Sequence, residues 1–260
     1  MDFEDKTVLI TGAGSGIGKS AANRFANGGA NLVLADINKE SLEATCEEIR
    51  AKERDVISVK LDVGNLNEID LMVEKAVSEF SGIDILFNNA GLTRHIDFLD
   101  IEEDHWDQIH RVNSKGAFFC MQKTAQSMVN RGQGGRIVNT ASIAGRGYRR
   151  TSNAAYAASK GAVIAMTYIA SSVLAPHNIN VNAVCPGIVQ TNMLSNILSG
   201  RSDDSGSSSD ELKNAMIDEI PIGRANDADD VSALAVFLAG PGSRNITGQA
   251  FNVDGGMIMS

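Results

Sequence analysis

The sequence predicts a single-domain α/β protein, built as a doubly wound parallel sheet of about seven strands flanked by helices. Three observations predict it. Short apolar runs alternate with longer segments of helical character along the 260 residues, the pattern of a parallel sheet covered on both faces. The runs are separated by roughly 15–45 residues, room for right-handed crossovers through a helix. The first run feeds directly into a glycine-rich turn.

In chain order, strands are expected at Thr7–Thr11, Asn31–Asp36, Val56–Asp62, Ile85–Asn88, Arg136–Thr140, Asn180–Cys185 and Ala250–Val253. The eight regular repeats of a closed barrel are not visible, and the length suits one core. Two stretches break the rhythm. Residues 188–221 are rich in Ser, Asn, Gly and Asp, with SDDSGSSSD at 202–210, a composition that need not pack tightly. Following a strand end, this stretch reads as a mobile substrate lid, with a plain surface loop as the alternative. Gly145–Asn153 carries Arg146, Arg149 and Arg150 and joins a strand end to a helix.

Composition narrows the function. With 32 acidic and 23 basic residues the formal charge is −9, and aromatics are only 5%. Neither favours nucleic acid or an anionic membrane as partner. No secretory leader and no window of membrane-span length is apparent, so the expected location is cytoplasmic. Cys46, Cys120 and Cys185 are odd in number and far apart, which suits satisfied small residues of a reducing compartment rather than a disulfide framework or a zinc site.

The first strand runs into Thr11-Gly12-Ala13-Gly14-Ser15-Gly16-Ile17-Gly18. Such a loop lets backbone approach a pyrophosphate at a helix N-terminus. The preceding strand, the following helix and an acid at Asp36 supply the context of a Rossmann dinucleotide site. Asp36 is placed to accept both adenosine ribose hydroxyls. Its charge opposes the 2′-phosphate of NADP, and Ile37 and Asn38 offer no offsetting cation, although Lys39 is near. NAD is therefore the expected cofactor. Asp62 and Val63 end the third strand where a carboxylate can hold the adenine amino group and the next residue can line the ring; capping the helix that opens near Leu66 is the alternative. Asn88-Asn89-Ala90-Gly91 closes the fourth strand with small residues and amides able to pin neighbouring loops.

Tyr156 and Lys160 are four residues apart in a predicted helix, side by side on one face. A free phenol, with a pKa of about 10, is a poor base at neutrality. A neighbouring ammonium is expected to lower it and make Tyr156 a proton donor to a ketone and an acceptor from an alcohol. Ser142, just beyond the fifth strand, can donate to the substrate oxygen. Asn113 can hold a water that links Lys160 to solvent. Each is otherwise an ordinary cap or helix-surface residue.

Together these motifs closely resemble the short-chain dehydrogenase/reductase family over essentially the whole chain. Thr11–Gly18 is similar to its Thr-Gly-x-x-x-Gly-x-Gly loop, Asn88–Gly91 to its Asn-Asn-Ala-Gly turn, and Tyr156 with Lys160 to its Tyr-x-x-x-Lys pair. The resemblance implies a catalytic tetrad of Asn113, Ser142, Tyr156 and Lys160, with Lys160 also on the nicotinamide ribose. It implies cofactor contacts from Asp36, Asp62, Asn89 and Ala90, and from Pro186, Gly187, Val189 and Thr191 near the carboxamide. No metal is required. It further implies a homotetramer, with a homodimer as the alternative, using the helices around Asn113 and Tyr156 and the C-terminal Phe251–Met259.

The expected substrate is a small-molecule alcohol or ketone. A polyol, sugar or vicinal diol leads, with Asn153 and Gln190 as candidates for a second hydroxyl. A 3-oxoacyl thioester, or an anionic hydroxy compound met by the three arginines, is the alternative. Thr93, Arg94 and His95 lie in the segment expected beside it. A non-catalytic dinucleotide-binding protein is the remote reading, because Ser142, Tyr156 and Lys160 are all present.

Overall fold

The computed structural model describes residues 2–259, with residues 203–205 described through their backbone alone. Among the described residues, seven strands form one fully parallel sheet: β1 (Thr7–Thr11), β2 (Asn31–Asp36), β3 (Val56–Lys60), β4 (Ile85–Asn88), β5 (Gly135–Thr140), β6 (Ile179–Pro186) and β7 (Ala250–Val253), in the order β3-β2-β1-β4-β5-β6-β7. The helices are α1 (Gly16–Asn27), α2 (Lys39–Arg50), α3 (Leu66–Phe80), α4 (Glu103–His110), α5 (Ala117–Arg131), α6 (Ala154–Leu174), α7 (Asn192–Ser205), α8 (Ser209–Ile217) and α9 (Ala228–Ala239).

Alternation along β1 divides the core. Val8 and Ile10 face one layer with Leu32 and Leu34 of β2, where Phe25 of α1, Leu42 of α2 and Ala235 of α9 cover them. Leu9 and Val33 point to the opposite layer, under Met72 of α3 and Met121 of α5. Strands buried on both faces explain why the sequence shows continuous apolar runs rather than alternation. Strand order reverses between β1 and β4, and in open α/β sheets a ligand crevice opens outside the strand carboxyl ends at such a switch.

Four expectations shift. The third strand stops at Lys60, the last partner of Asp36 on β2, because Asp62 turns its carboxylate back to the Gly64 amide at 2.8 Å. The fifth and sixth strands each begin one residue earlier than expected, and the sixth runs on to Pro186. Residues 192–205 and 209–217 are helical where a loosely packed stretch was expected: Ser208 and Glu211 form a reciprocal capping box that starts α8, a strong local helix signal. Leu194, Leu198 and Ile220 make a small core of their own there. Finally, a window of membrane-span length does exist. Ala154–His177 is long and apolar enough to cross a membrane, but Val163 and Ile164 of that helix pack on Ala183 and Cys185 of β6. Part of its apolarity therefore serves the sheet.

Candidate active site

The residues predicted to act gather along one cleft of about 490 Å³ at the carboxyl ends of the strands. Of the predicted tetrad and cofactor contacts, all but Gly18 and Asn113 line it. At one end, Gly12 turns the chain at φ +66°, and a side chain there would press on the Ala90 backbone at 3.0 Å. Gly18 sits so close to the Gly12 carbonyl and to Asn89 Nδ2 that no Cβ fits. The N-cap of α1, Ser15, makes no side-chain capping bond, so the first amides of α1 are not claimed by a cap and suit an anion.

The Asn-Asn-Ala-Gly turn is a clamp. Thr11 Oγ1 accepts from the amides of Asn89 and Ala90 at 3.0 Å each. Asn89 Nδ2 donates to the carbonyls of Thr11 and Gly12, while Thr140 Oγ1 donates to Asn89 Oδ1 at 3.1 Å. Three strand ends, β1, β4 and β5, are thus locked together under the cofactor loop. Asp36 accepts from the amides of Gly14 and Asn38 at 2.9 Å each, so its carboxylate is fixed at the cleft edge with lone pairs remaining for hydroxyls. Across the cleft Thr191 approaches Gly16: a Cβ on Gly16 would meet Thr191 Cγ2 at 3.2 Å.

Ser142 caps the short 3₁₀ turn Ile143–Arg146, its Oγ accepting from the Ala144 amide at 3.1 Å. That turn lies directly on α6, because Gly145 has no side chain: a Cβ there would lie 2.6 Å from the Gly161 nitrogen. This contact brings Ser142 to Tyr156, to which it is hydrogen bonded. Tyr156 is in the first turn of α6, whose N-cap Asn153 accepts from the Tyr156 amide at 2.6 Å. Lys160, 4% exposed, sends Nζ to the Thr140 carbonyl at 2.7 Å and lies 5.8 Å from the centre of the Tyr156 ring.

The electrostatics correct one expectation. Burial pushes the Tyr156 phenol above its ordinary pKa, and the Ser142 hydrogen bond only partly opposes it. Burial also lowers Lys160 to about 8. The ammonium is turned to the Thr140 carbonyl, so it does not bring the phenol below its usual value. Asn113 is completely buried in a π-helical turn, Arg111–Gly116, between α4 and α5. Its amide exchanges bonds with the Leu92 backbone at 2.8 Å both ways and donates to Ser159 Oγ at 3.1 Å. The side chain is thus committed to protein partners. π-Turns inside helices recur at functional sites, and the residue types here gave no sign of one.

Other predicted contacts fall elsewhere. Asn153 is spent capping α6 and bonding Thr93 and the Arg94 carbonyl, and Gln190 is absent from the main cleft. Neither is placed for a second substrate hydroxyl. Arg146 turns away to the Ala250 carbonyl, and Arg149 is exposed outside the cleft. Arg150 lines the cleft but is paired with Glu219. Sequence reasoning missed Arg201 of α7, which also lines the cleft and donates to the carbonyls of Arg150 and Thr151 at 3.2 and 2.9 Å. The Asp62 cap reading gives way to Asn65, which caps α3.

A Rossmann sheet whose switch-point cleft joins a glycine loop to a Ser-Tyr-Lys cluster defines a dinucleotide-dependent oxidoreductase. The chain belongs to the short-chain dehydrogenase/reductase family: residues 12–258 match a family model described as enoyl-(acyl carrier protein) reductase. It is 37% identical to a 3-oxoacyl-[acyl-carrier-protein] reductase of Staphylococcus aureus, covering 98% of each chain. It is 38% identical to galactitol 2-dehydrogenase of Agrobacterium fabrum over the full length of both. The crystal structure of a 3-ketoacyl-(acyl-carrier-protein) reductase of Brucella melitensis complexed with NADH superposes with a TM-score of 0.88 at 35% identity, covering 98% of this chain and 99% of that one.

Proposed function

We propose that this NAD(H)-dependent oxidoreductase of CH–OH and ketone groups works on 3-oxoacyl thioesters, delivering the proton from Tyr156. The carrying observation is the apolar share of the cleft lining around Ser142 and Tyr156, to which Ile143, Met193, Leu194, Ile197 and Met216 contribute beside Arg150 and Arg201, whose guanidiniums are engaged by protein partners. A polyol needs a polar partner for each hydroxyl it buries. Here the nearby polar groups are already paired with one another, Thr93 with Ser152 at 2.6 Å and Asn153 with both Thr93 and the α6 amide. An acyl chain needs only apolar surface. The names of the Staphylococcus and Brucella relatives support the same substrate class.

The residues fit the dinucleotide: the glycine loop and the amides of α1 suit its pyrophosphate, Asp36 its adenosine ribose, and Lys160 and Thr191 its nicotinamide half. The bound cofactor supplies the hydride. Ser142 orients the ketone oxygen, Tyr156 gives it a proton, and Lys160 sets the charge beside the phenol, with Asn113 fixing Leu92 and Ser159 around it. Burial keeps Tyr156 protonated at neutrality, which suits the reducing direction. Residues 188–221 serve as a lid, gripped at its underside by Arg201 and by the Arg150–Glu219 pair. The exposed Trp106, Phe118, Ile169 and Val173 support a homotetramer, and three unpaired buried cysteines suit a cytoplasmic setting.

The test is NADH oxidation with acetoacetyl-N-acetylcysteamine, set against neutral ketoses and acetoin. A kcat/KM for the thioester at least about tenfold above the others, the scale of one well-filled apolar contact, is the expected result. Preference for the ketose or acetoin returns the polyol reading.

A further inference from the structure

The cleft holds a second phenol. Tyr148, in the loop after Ser142, lines it together with Arg150, Arg201 and Met216. Its ring packs on the cluster that includes Ile143 and Cys185, and its backbone amide donates to the Ile143 carbonyl at 3.4 Å, so the side chain starts close to the catalytic turn. Its hydroxyl donates to Glu219 Oε2 at 3.1 Å. Glu219 follows α8 and stands next to Ile220, which belongs to the lid's own core with Leu194 and Leu198. The other carboxylate oxygen, Oε1, pairs with Arg150. Arg201 completes the belt: its guanidinium donates to the Arg150 and Thr151 carbonyls and lies 3.9 Å from the Met216 sulfur, where apolar lining gives way to charge.

A ring held at its backbone by the catalytic turn and at its hydroxyl by the lid cannot swing out of the cleft. Burial holds the Tyr148 phenol above its ordinary pKa, against the pull of Arg150 and Arg201, so at neutral pH it donates to Glu219. An alkyl chain pushed into this belt would separate a hydrogen bond and an ion pair and replace neither, since methylenes have no donor or acceptor. Resting on the 3-oxoacyl reading above, we propose that Tyr148, tied to Glu219, is the residue that limits acyl chain length. Short 3-oxoacyl groups fit between the catalytic turn and the belt, and long ones do not.

The experiment is steady-state reduction of acetoacetyl- and 3-oxooctanoyl-N-acetylcysteamine by NADH in wild type, Y148F and Y148A. The ratio of the two kcat/KM values is read on one preparation, so a variant that folds poorly lowers both and leaves the ratio intact. In the wild type the short thioester is expected to lead by at least about tenfold, chiefly through KM, the scale on which a pocket discriminates methylenes. Y148A removes the ring and brings the ratio below about threefold, and Y148F, which keeps the ring without its tie, falls between. A wild-type ratio in Y148A, or equal use of the two thioesters by the wild type, overturns the role of Tyr148 while leaving the 3-oxoacyl reading standing. Turnover of acetoin or a ketose with neither thioester overturns that reading and the inference with it.

Discussion

Lys160 donates to the Thr140 carbonyl at 2.7 Å while its Nζ stands 5.8 Å from the centre of the Tyr156 ring. The ammonium is thereby held on the strand end, within reach of the phenol's charge and not bonded to it. Both groups are buried, and burial disfavours the charged form of each: the phenol titrates above its usual value, the ammonium near 8.

The two reaction directions consequently respond oppositely to pH. Ketone reduction needs the phenol, so kcat/KM should stay level up to about 8 and decline as Lys160 loses its proton. Alcohol oxidation needs the phenolate, so its kcat/KM should climb with pH through and beyond that region. Paired pH–rate profiles check this; an oxidation profile that is flat above neutrality contradicts it.

Removing the phenol should separate binding from chemistry. Y156F is expected to lose about 10²- to 10⁴-fold in kcat, the usual contribution of a positioned general acid. NADH affinity by fluorescence should change little. S142A should lose on the order of 10²-fold, because the oxygen it orients still meets Tyr156.

Asp36 fixes the Gly14 and Asn38 amides and opposes a 2′-phosphate. D36A should weaken NAD binding by about tenfold while NADP binding improves or holds, narrowing the preference. Titration calorimetry with both cofactors reads the change, and an unaltered ratio would remove Asp36 from cofactor selection.

Arg201 ties α7 to the loop preceding α6 through two carbonyls. R201M should raise KM for substrate several-fold, within the one to two kcal/mol that such bonds carry, with NADH binding unchanged. An unchanged KM would show that substrate binding does not depend on this tie.

Asp230 is held to about 2 by bonds from Arg224 and the Asp227 amide. Its folded pKa is below the unfolded 3.8, so its stabilisation is fully present above that value and is lost as pH falls toward 2. The pair is largely solvent-facing and screened, so the effect is small. D230N should lower Tm slightly at neutral pH and flatten the decline in that acid window, as thermal melts across it will show.

The sequence by itself determined the parallel sheet, the glycine turn after β1, the acid at the end of β2 and the four-residue spacing of Tyr156 and Lys160. These are properties of neighbours along a chain: strand length, backbone freedom at Gly12 and helical periodicity read directly from residue order. Tertiary structure decided the rest. The Ser208–Glu211 capping box is a local signal within a Ser-rich stretch, and it outweighed composition there. The tie of Tyr148 to Glu219, the committed side chain of Asn113 and the turning away of Arg146 all depend on segments distant in sequence meeting at one place. The upward pull on Tyr156 had the same origin, because an i,i+4 spacing fixes who is adjacent, whereas burial and the Thr140 carbonyl fix which charge is affordable.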